Sequence, residues 1–409
     1  MRAQWTPLRW PAAWKDPALL ALLEGTAIDC LVIDKAAELD PVRARARQQH
    51  LRVFDAPPDG VALVKGEWPG VNFRGGSGGQ AAGGPTGVPW VDSNGWRIRL
   101  ESALRPEKQV WIDAAPPERG VRLTGDSYLV AVADSAAYGG RWLITLDPAL
   151  AAGLTEQKPG SLAVWKRIAA TAAFFAGHKE WTGYVPEAAM ALVSDFSGDN
   201  EFFSQEMLNL LARAGGHYLV VRKDTAGAST FNGVRAVIYA DAAPPDPGLR
   251  KNILSFVEGG GMLITTSKWG PVSGAPAKGS EHPRYTVRAA GKGRIAQANP
   301  DPDDPYVMAN DAVLLVSHRY DLVRFWNGGA TGSFYTVSAD RKKAVVHLLF
   351  YADRGPDSAS VRIAGRYRGV KAATVDVAEL PNVGVKSEKD AVELHLPQVS
   401  QYVAAELEA

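Results

Sequence analysis

"FNGVRAVIYADAAPPDPGLRKNILSFVEGGGMLITT", residues 231–266, contains a complete strand, helix and strand. "RAVIYAD" is a short apolar run rich in β-branched and aromatic residues, as a buried strand requires. Asp246-Pro247 then opens a stretch with apolar residues every three or four positions, and three glycines close it. That is the start and stop chemistry of a helix. "GMLITT" follows as a second strand. A helix between two apolar strands predicts a parallel crossover.

Working outward, "AMALVSDF" and "HYLVVRK" add strands, and "NEFFSQEMLNLLARAGG" adds a helix that also ends in glycines. This predicts a doubly wound sheet of the flavodoxin type over residues 186–320. Before it, "TAIDCLVIDK", "HLRVFDAPP", "VALVKGEW", "QVWIDAAPP", "SYLVAVADS" and "RWLITLD" read as buried parallel strands. "DPVRARARQQH", "DSNGWRIRLESAL" and "SLAVWKRIAATAAFFAGHKEW" read as helices. The alternation predicts an α/β domain over residues 1–185, a reduced or incomplete (β/α) barrel, since a full barrel takes about 250 residues. Residues 321–409 change period. "DLVRFWNGG", "GSFYTVSAD", "KKAVVHLLFYAD", "SASVRIAGRY" and "AVELHLPQVSQYVAAELE" predict a C-terminal antiparallel β-sandwich.

The chain has 409 residues, 46% hydrophobic and 22% charged, with a formal net charge of +1. That balance gives no reason to expect a nucleic-acid or membrane partner. No apolar run is long enough to span a bilayer. "MRAQWTPLRWP" lacks the apolar centre of a signal peptide. The compartment is open: periplasmic or secreted if a signal was removed, cytoplasmic otherwise. The single cysteine, Cys30 in "IDCLVI", is expected to be a structural thiol. Seven histidines without ligand spacing give no metal site, and no cofactor is expected. The glycines of residues 75–84 lack the phosphate-loop pattern and read as a flexible loop.

Carboxylates recur where apolar runs end: Asp34, Asp55, Glu67, Asp113, Asp134 and Asp147. In a parallel sheet all such ends share one face. Asp147 before Pro148 reads as a helix cap, as does Asp40 before Pro41, and capping is also the plain reading of Asp134. For Asp34, Asp55 and Asp113 no clean cap follows. Glu67 is a poor capping residue, and Gly66 beside it leaves room for a ligand. The loop "GGPTGVPWVDSNGW" adds Asp92 and Asn94, with Trp90 and Trp96 as ring platforms; Trp68 and Arg74 stand close in sequence to Glu67. Asp92 or Ser93 could instead cap the helix that follows. Acid pairs beside aromatic faces suit glycosidic cleavage, in which one carboxyl protonates the leaving oxygen and the other acts as nucleophile or base. In "SDFSGDNEFFSQE", Asp195, Asp199, Glu201 and Glu206 favour a helix start, with calcium or a sugar as the alternative.

The 231–266 stretch resembles the glutamine-amidotransferase-like domain that follows the barrel in bacterial family 42 β-galactosidases. "GKGRI", "DLVRFWNGG" and "HLLFYAD" resemble the segments that come next there. The resemblance spans roughly Pro186 to the end and implies a glycosidase scaffold. No cysteine follows residue 30, so the amidotransferase-like domain is expected to be non-catalytic. The family's Asn-Glu pair is missing before residue 186; the one copy, Asn200-Glu201, falls in the middle domain, and no catalytic residue carries over.

Together these features predict a glycoside hydrolase acting on an oligo- or polysaccharide. Glu67 would be acid or nucleophile and Asp92 or Asp113 its partner. Asp34, Asp55, Trp68, Arg74, Trp90, Asn94 and Trp96 would bind the sugar. The alternatives are a non-catalytic glycan-binding or assembly protein on that scaffold, oligomeric through its middle domain, and a polysaccharide lyase.

Overall fold

The computed structural model describes residues 4–72, 74–75, 81–82, 90–117, 123–327, 329–352 and 357–409. The first strands are short: β1 (Pro7–Arg9), β2 (Cys30–Val32), β3 (Arg52–Phe54) and β4 (Val61–Lys65). Two small antiparallel pairs follow, β5 (Gly70–Asn72) with β8 (Trp90–Asp92) and β6 (Arg74–Gly75) with β7 (Ala81–Ala82). Then come β9 (Gln109–Asp113), β10 (Arg141–Trp142) and β11 (Ile144–Thr145). The larger pairings are parallel, in the orders β11-β1-β2-β3 and β10-β9-β4. Only Leu143 separates β10 from β11, so the two sheets run into each other. The strands thus succeed one another in chain order, and β11 returns to β1. Among the described residues no ladder joins β3 to β4.

Side chains alternate across this sheet as strand geometry requires. Cys30, Val32, Val61, Trp111 and Leu143 form one cluster, with Trp5 and Phe54 against it. Leu8, Leu31, Ile33, Val110, Ile112 and Ile144 join the helix-covered core on the other face. Burial pushes the Cys30 thiol up to about 12, aided by the charge of Asp29, so it stays a neutral packing residue. The helices are α1 (Asp40–Gln48), α2 (Gly95–Leu104), α3 (Gly125–Ala137), α4 (Pro148–Thr155) and α5 (Pro159–Gly177). Asp147 caps α4 as expected, accepting from the Leu150 amide at 2.9 Å. Asp40 does not cap; it is the first residue of α1, and Leu39 occupies the cap position.

"SYLVAVADS" is not a strand. It lies in α3, which opens with a reciprocal capping box between Thr124 and Ser127. Nine of its thirteen residues are buried, because it packs between the first sheet and a C-terminal sheet. A helix covered all round carries no polar stripe, so its sequence resembles a buried strand. The strand it displaces from the reading is β1, in "TPLRW".

The middle sheet is β14-β13-β15-β16-β18-β17. It comprises β13 (Met190–Ser194), β14 (Tyr218–Arg222), β15 (Ala236–Tyr239), β16 (Met262–Thr265), β17 (Tyr285–Ala290) and β18 (Gly293–Ala298). Only β17 runs antiparallel, at the edge. Helices α6 (Glu201–Arg213), α7 (Pro247–Glu258) and α8 (Pro305–Val316) accompany it. Gly215 and Gly260, just past α6 and α7, take positive φ as their positions predict.

Two antiparallel sheets complete the chain. One is β12-β20-β21-β26-β23, from β12 (Val185–Pro186), β20 (Thr331–Val337), β21 (Lys343–Phe350), β23 (Gly369–Ala373) and β26 (Tyr402–Glu408). The other is β19-β22-β25-β24, from β19 (Val323–Phe325), β22 (Ala359–Ala364), β24 (Gly384–Ser387) and β25 (Ala391–Leu396). Val346, Leu348, Val361, Ile363, Leu394 and Val403 share the core between them. The opposite face of the first of these sheets, through Val345, Leu349, Tyr402 and Ala404, packs into the core of α3 and α5.

Helix α2 joins the parts. Trp96 and Leu100 enter the core of the middle sheet. The Arg99 guanidinium lies 3.6 Å from the Tyr218 ring centre and 5.3 Å from that of Phe334. At the helix start, a β-carbon on Gly95 would stand 2.4 Å from the Tyr138 ring. Just before it, Asn94 is fully buried and gives its amide (2.8 Å) and its side-chain Nδ2 (3.1 Å) to Asp134 of α3. The Tyr351 hydroxyl donates to the same carboxyl at 2.8 Å. Burial pushes Asp134 up to about 6 against these three donors.

Two consequences can be measured. Alanine is ordinarily the better helix former, yet Gly95→Ala should destabilise the chain by about 1–3 kcal/mol, because Tyr138 has to move; a melting temperature equal to or above the parent's would contradict this packing. For Asp134, the raised folded value means that the folded chain holds more protons than the unfolded chain between about pH 4 and 6. Its contribution is therefore most favourable below that window and declines as pH rises through it, by an order of 3 kcal/mol. Relative to the non-titrating Asp134→Asn, the parent should lose stability in urea between about pH 4 and pH 7.5; a constant difference between the two proteins would refute it.

Candidate functional site

Parallel strands deliver their carboxyl ends to one side of a sheet, where α/β proteins bind ligands. Here that side gathers Arg9 from β1, Asp34 after β2, Asp55 after β3, Lys65 and Glu67 at and after β4, and Asp113 ending β9. The acids are matched by cations. Arg9 reaches Asp113 at 2.7 Å, Lys35 reaches Asp55 at 2.5 Å, and Arg97 reaches Glu67 at 3.2 Å. The hydrogen bond from Lys35 holds the exposed Asp55 carboxyl below its ordinary value. Asp34 is exposed at the end of β2.

Glu67 is held by its backbone. Its amide donates to Asn94 Oδ1 and its carbonyl accepts from Asn94 Nδ2, both at 2.9 Å. The side chain itself is 53% exposed. The enclosed setting beside an aromatic ring, which suits a general acid, is not what Glu67 has. Gly66 has a packing reason: a β-carbon there would come within 2.2 Å of Ile112 and 2.7 Å of Asn94. Its missing side chain admits these neighbours, not a ligand.

Several expected sugar contacts are spent on structure. Asn94 is fully buried, and both ends of its amide are used on Glu67 and Asp134. Trp96 is 6% exposed, with the Arg97 guanidinium 4.4 Å from its ring centre. Trp68 donates to the Ala115 carbonyl at 2.8 Å, and its ring stands edge-on to Tyr128 and Trp142 at 5.0 and 4.9 Å. Asn94 and Trp96 are closed to a ligand, whereas Trp68 stays partly exposed. Asp92 stands at the end of β8, 3.7 Å from Arg213 of α6. It caps no helix, and its ion pair leads toward the middle sheet. Arg74 and Trp90 fall on β6 and β8, but their side chains lie outside the described residues, as does most of the 75–84 loop.

Sequence reasoning missed Arg9, Lys35 and Arg97, which face the acids, and Tyr351; Asp134, expected at a strand end as a helix cap, lies instead inside α3, where with Tyr351 it fixes the loop behind Glu67. Arg9 was hidden with β1. Arg97 carries a faint signal, since it sits one turn into the helix that the Trp-rich loop opens.

In the middle sheet, Asp195 is ion-paired with Lys223 and accepts from Asn200 Nδ2 at 3.0 Å. Lys223 also meets Asp241 at 3.1 Å, and Ser194 donates to Asp241 at 2.6 Å. This cluster pins the ends of β13, β14 and β15 to one another. Phe196, in a left-handed turn at φ 57°, stands after β13, and no thiol is near it. Among the described residues no three metal-ligating side chains converge, and no helix is long and apolar enough to cross a membrane.

No family model and no curated protein matches this sequence. Solved structures do match. α-L-Fucosidase isoenzyme 2 from Paenibacillus thiaminolyticus aligns with 96% of this chain and 80% of its own, at 12% identity and a TM-score of 0.54. The cold-adapted β-galactosidase from Rahnella sp. R3 aligns with 91% of this chain at 11% identity and a TM-score of 0.51, and the chain spans 65% of that enzyme. A rhamnosidase from Novosphingobium sp. PP1Y gives 91%, 9% and 0.50, with only 38% of its own length covered. At these identities the likeness is one of fold. The chain has a glycosidase-like fold of the β-galactosidase type, as its resemblance to family 42 implied.

Proposed function

We propose that this chain is a carbohydrate-active protein that receives an oligo- or polysaccharide at the carboxyl ends of its first sheet. The first sheet is then a reduced barrel of seven short strands, β10 and β11 sharing one place in it, with an open seam between β3 and β4. Its division from the middle and C-terminal parts near residues 186 and 320 belongs to the same proposal. The observation that carries the reading is the row of ion pairs Arg9–Asp113, Lys35–Asp55 and Arg97–Glu67. A sugar hydroxyl both donates and accepts. It can therefore give its proton to a carboxylate and take a hydrogen bond from the neighbouring cation. A face of alternating acceptors and donors suits a neutral polyol better than a ligand of one charge. The folds it resembles belong to enzymes named for fucosides, β-galactosides and rhamnosides.

Recognition without cleavage is the form this geometry favours. Hydrolysis needs one carboxyl free to protonate a leaving group and another free to attack or to activate water. Glu67 and Asp113 are each engaged by an arginine, and Glu67 is half exposed. Hydrolysis is the second reading. It is favoured by the origin of the two acids on neighbouring strands: Gly66 donates to the Asp113 carbonyl at 2.9 Å, and Lys65 is opposite Asp113 in register.

A panel of neutral oligosaccharides, followed by titration calorimetry and by chromatography of products, separates the two readings. The expected result is binding without product, weakened about tenfold or more by Asp113→Asn or Glu67→Gln, since each removes a charged acceptor. Product formed by the parent and abolished by Glu67→Gln would establish hydrolysis instead. No measurable binding to any member of the panel would overturn the proposal.

A further inference from the structure

A cavity of about 220 Å³ lies where three parts of the chain meet: helix α2, the end of α6, and strands β19 and β20. Arg99 of α2, Arg213 of α6 and Arg324 of β19 line it. Arg213 stands 3.7 Å from Asp92, and its Nε donates to Asn209 at 3.0 Å. Arg99 and Arg324 have no carboxylate within 4 Å among the described residues. Arg99 donates to the Tyr218 carbonyl and lies 3.6 Å from that ring's centre; Arg324 lies 4.8 Å from the centre of the Trp326 ring. These contacts orient the two guanidiniums without neutralising them, and each keeps N–H donors to spare. Solvent reaches both, since Arg99 is half-buried and Arg324 exposed. Asp321, the acid in the wall, is hydrogen-bonded to His318 Nδ1 at 3.0 Å. The last carbonyls of α6 are also taken, with Gly215 donating to Ala212 at 3.1 Å and Gly216 to Leu211 at 2.8 Å. Behind Ser333, burial and the Arg99 charge push His217 down to about 3, so it stays neutral. Two accessible cations without carboxylates at one cavity suit a doubly charged anion.

We infer that this cavity binds a phosphate monoester of a small polyol, the size of a hexose phosphate. The phosphate, close to a dianion at neutral pH, meets Arg99 and Arg324, whose planar forks match its oxygens. The rest of the wall is mixed, as a polyol requires: Tyr138 and Phe325 offer ring surface, and Thr331 and Ser333 offer hydroxyls. The volume is below the about 300 Å³ at which pockets for drug-sized ligands begin, so the occupant is small. No residue of the proposed saccharide face takes part, so either reading can fail alone.

Titration calorimetry of the purified chain with glucose 6-phosphate, inorganic phosphate and glucose tests this. Glucose 6-phosphate should bind one to one and inorganic phosphate about tenfold more weakly; glucose, lacking the charge, should not compete for the site. Arg324→Gln changes an exposed side chain and should weaken glucose 6-phosphate about ten- to a hundredfold, the range expected for a charged hydrogen bond. Thr331→Phe narrows the cavity and should weaken glucose 6-phosphate more than inorganic phosphate. Arg366→Gln removes an equal charge from an exposed ion pair with Asp390 and should leave the affinity unchanged. Thermal melts establish that each variant is folded. No glucose 6-phosphate binding at millimolar concentration by the parent would overturn the inference. So would binding that Arg324→Gln leaves unchanged, or that Arg366→Gln weakens as much, since the ligand would then sit elsewhere or answer only to net charge. Equal affinity for inorganic phosphate would also overturn it, because the polyol would then make no contact.

Discussion

A carboxylate with no water around it has to find its donors within the protein, and Asp134 finds three: the Asn94 amide, the Asn94 side chain and the Tyr351 hydroxyl. Those donors come from different parts of the chain. Asp134 is in α3, Asn94 begins α2, and Tyr351 follows β21 of the C-terminal sheets. Removing any one leaves a buried polar group unmatched, which commonly costs about 1–3 kcal/mol. The three elements are therefore set relative to one another by polar geometry as well as by apolar burial. Asn94 passes the constraint on: the amide group that meets Asp134 also clasps both backbone atoms of Glu67. The position of the loop after β4 is thus decided by a helix and a sheet that contribute nothing to the carboxyl-end face.

That arrangement explains what was legible in the sequence and what was not. Strands β13, β15 and β16 are apolar at nearly every position and bounded by glycines and acids, so their type is readable from composition alone. Helix α3 fails for the same physical reason: burial on all sides removes the periodicity that separates helix from strand. Strand β1 is three residues long and includes a proline, too little for any period. The acids at strand ends were visible because chain order and parallel pairing place them together. Their cationic partners were not, since Arg9 meets Asp113 across 104 residues, and Tyr351 meets Asp134 across 217.

Glu67 and Asp134 show how the same residue chemistry divides by environment. Asp134 has the raised value often sought in an acid catalyst, yet it is sealed from solvent and surrounded by donors. A perturbed carboxyl in a packed joint is a structural element, and perturbation without access gives no reactivity. Glu67 has the access and a cation beside it. The carboxyl-end face therefore owes its chemistry to paired, reachable charges, while the strongest electrostatic cost in the neighbourhood lies underneath, in the frame.

The tryptophans follow a related rule. A buried indole needs an acceptor for its N–H, and three of those described reach a distant one. Trp14 donates to Ala151, Trp165 to Leu22 and Trp68 to Ala115. Each of these three rings packs against the core while its N–H ties two remote segments, so these tryptophans brace the chain. Trp142 keeps the ring contact, against Trp68, but its Nε1 is sealed from solvent and has no acceptor among the described residues. Its place is therefore held by packing alone, against the cost of one unmatched donor, commonly about 1–3 kcal/mol.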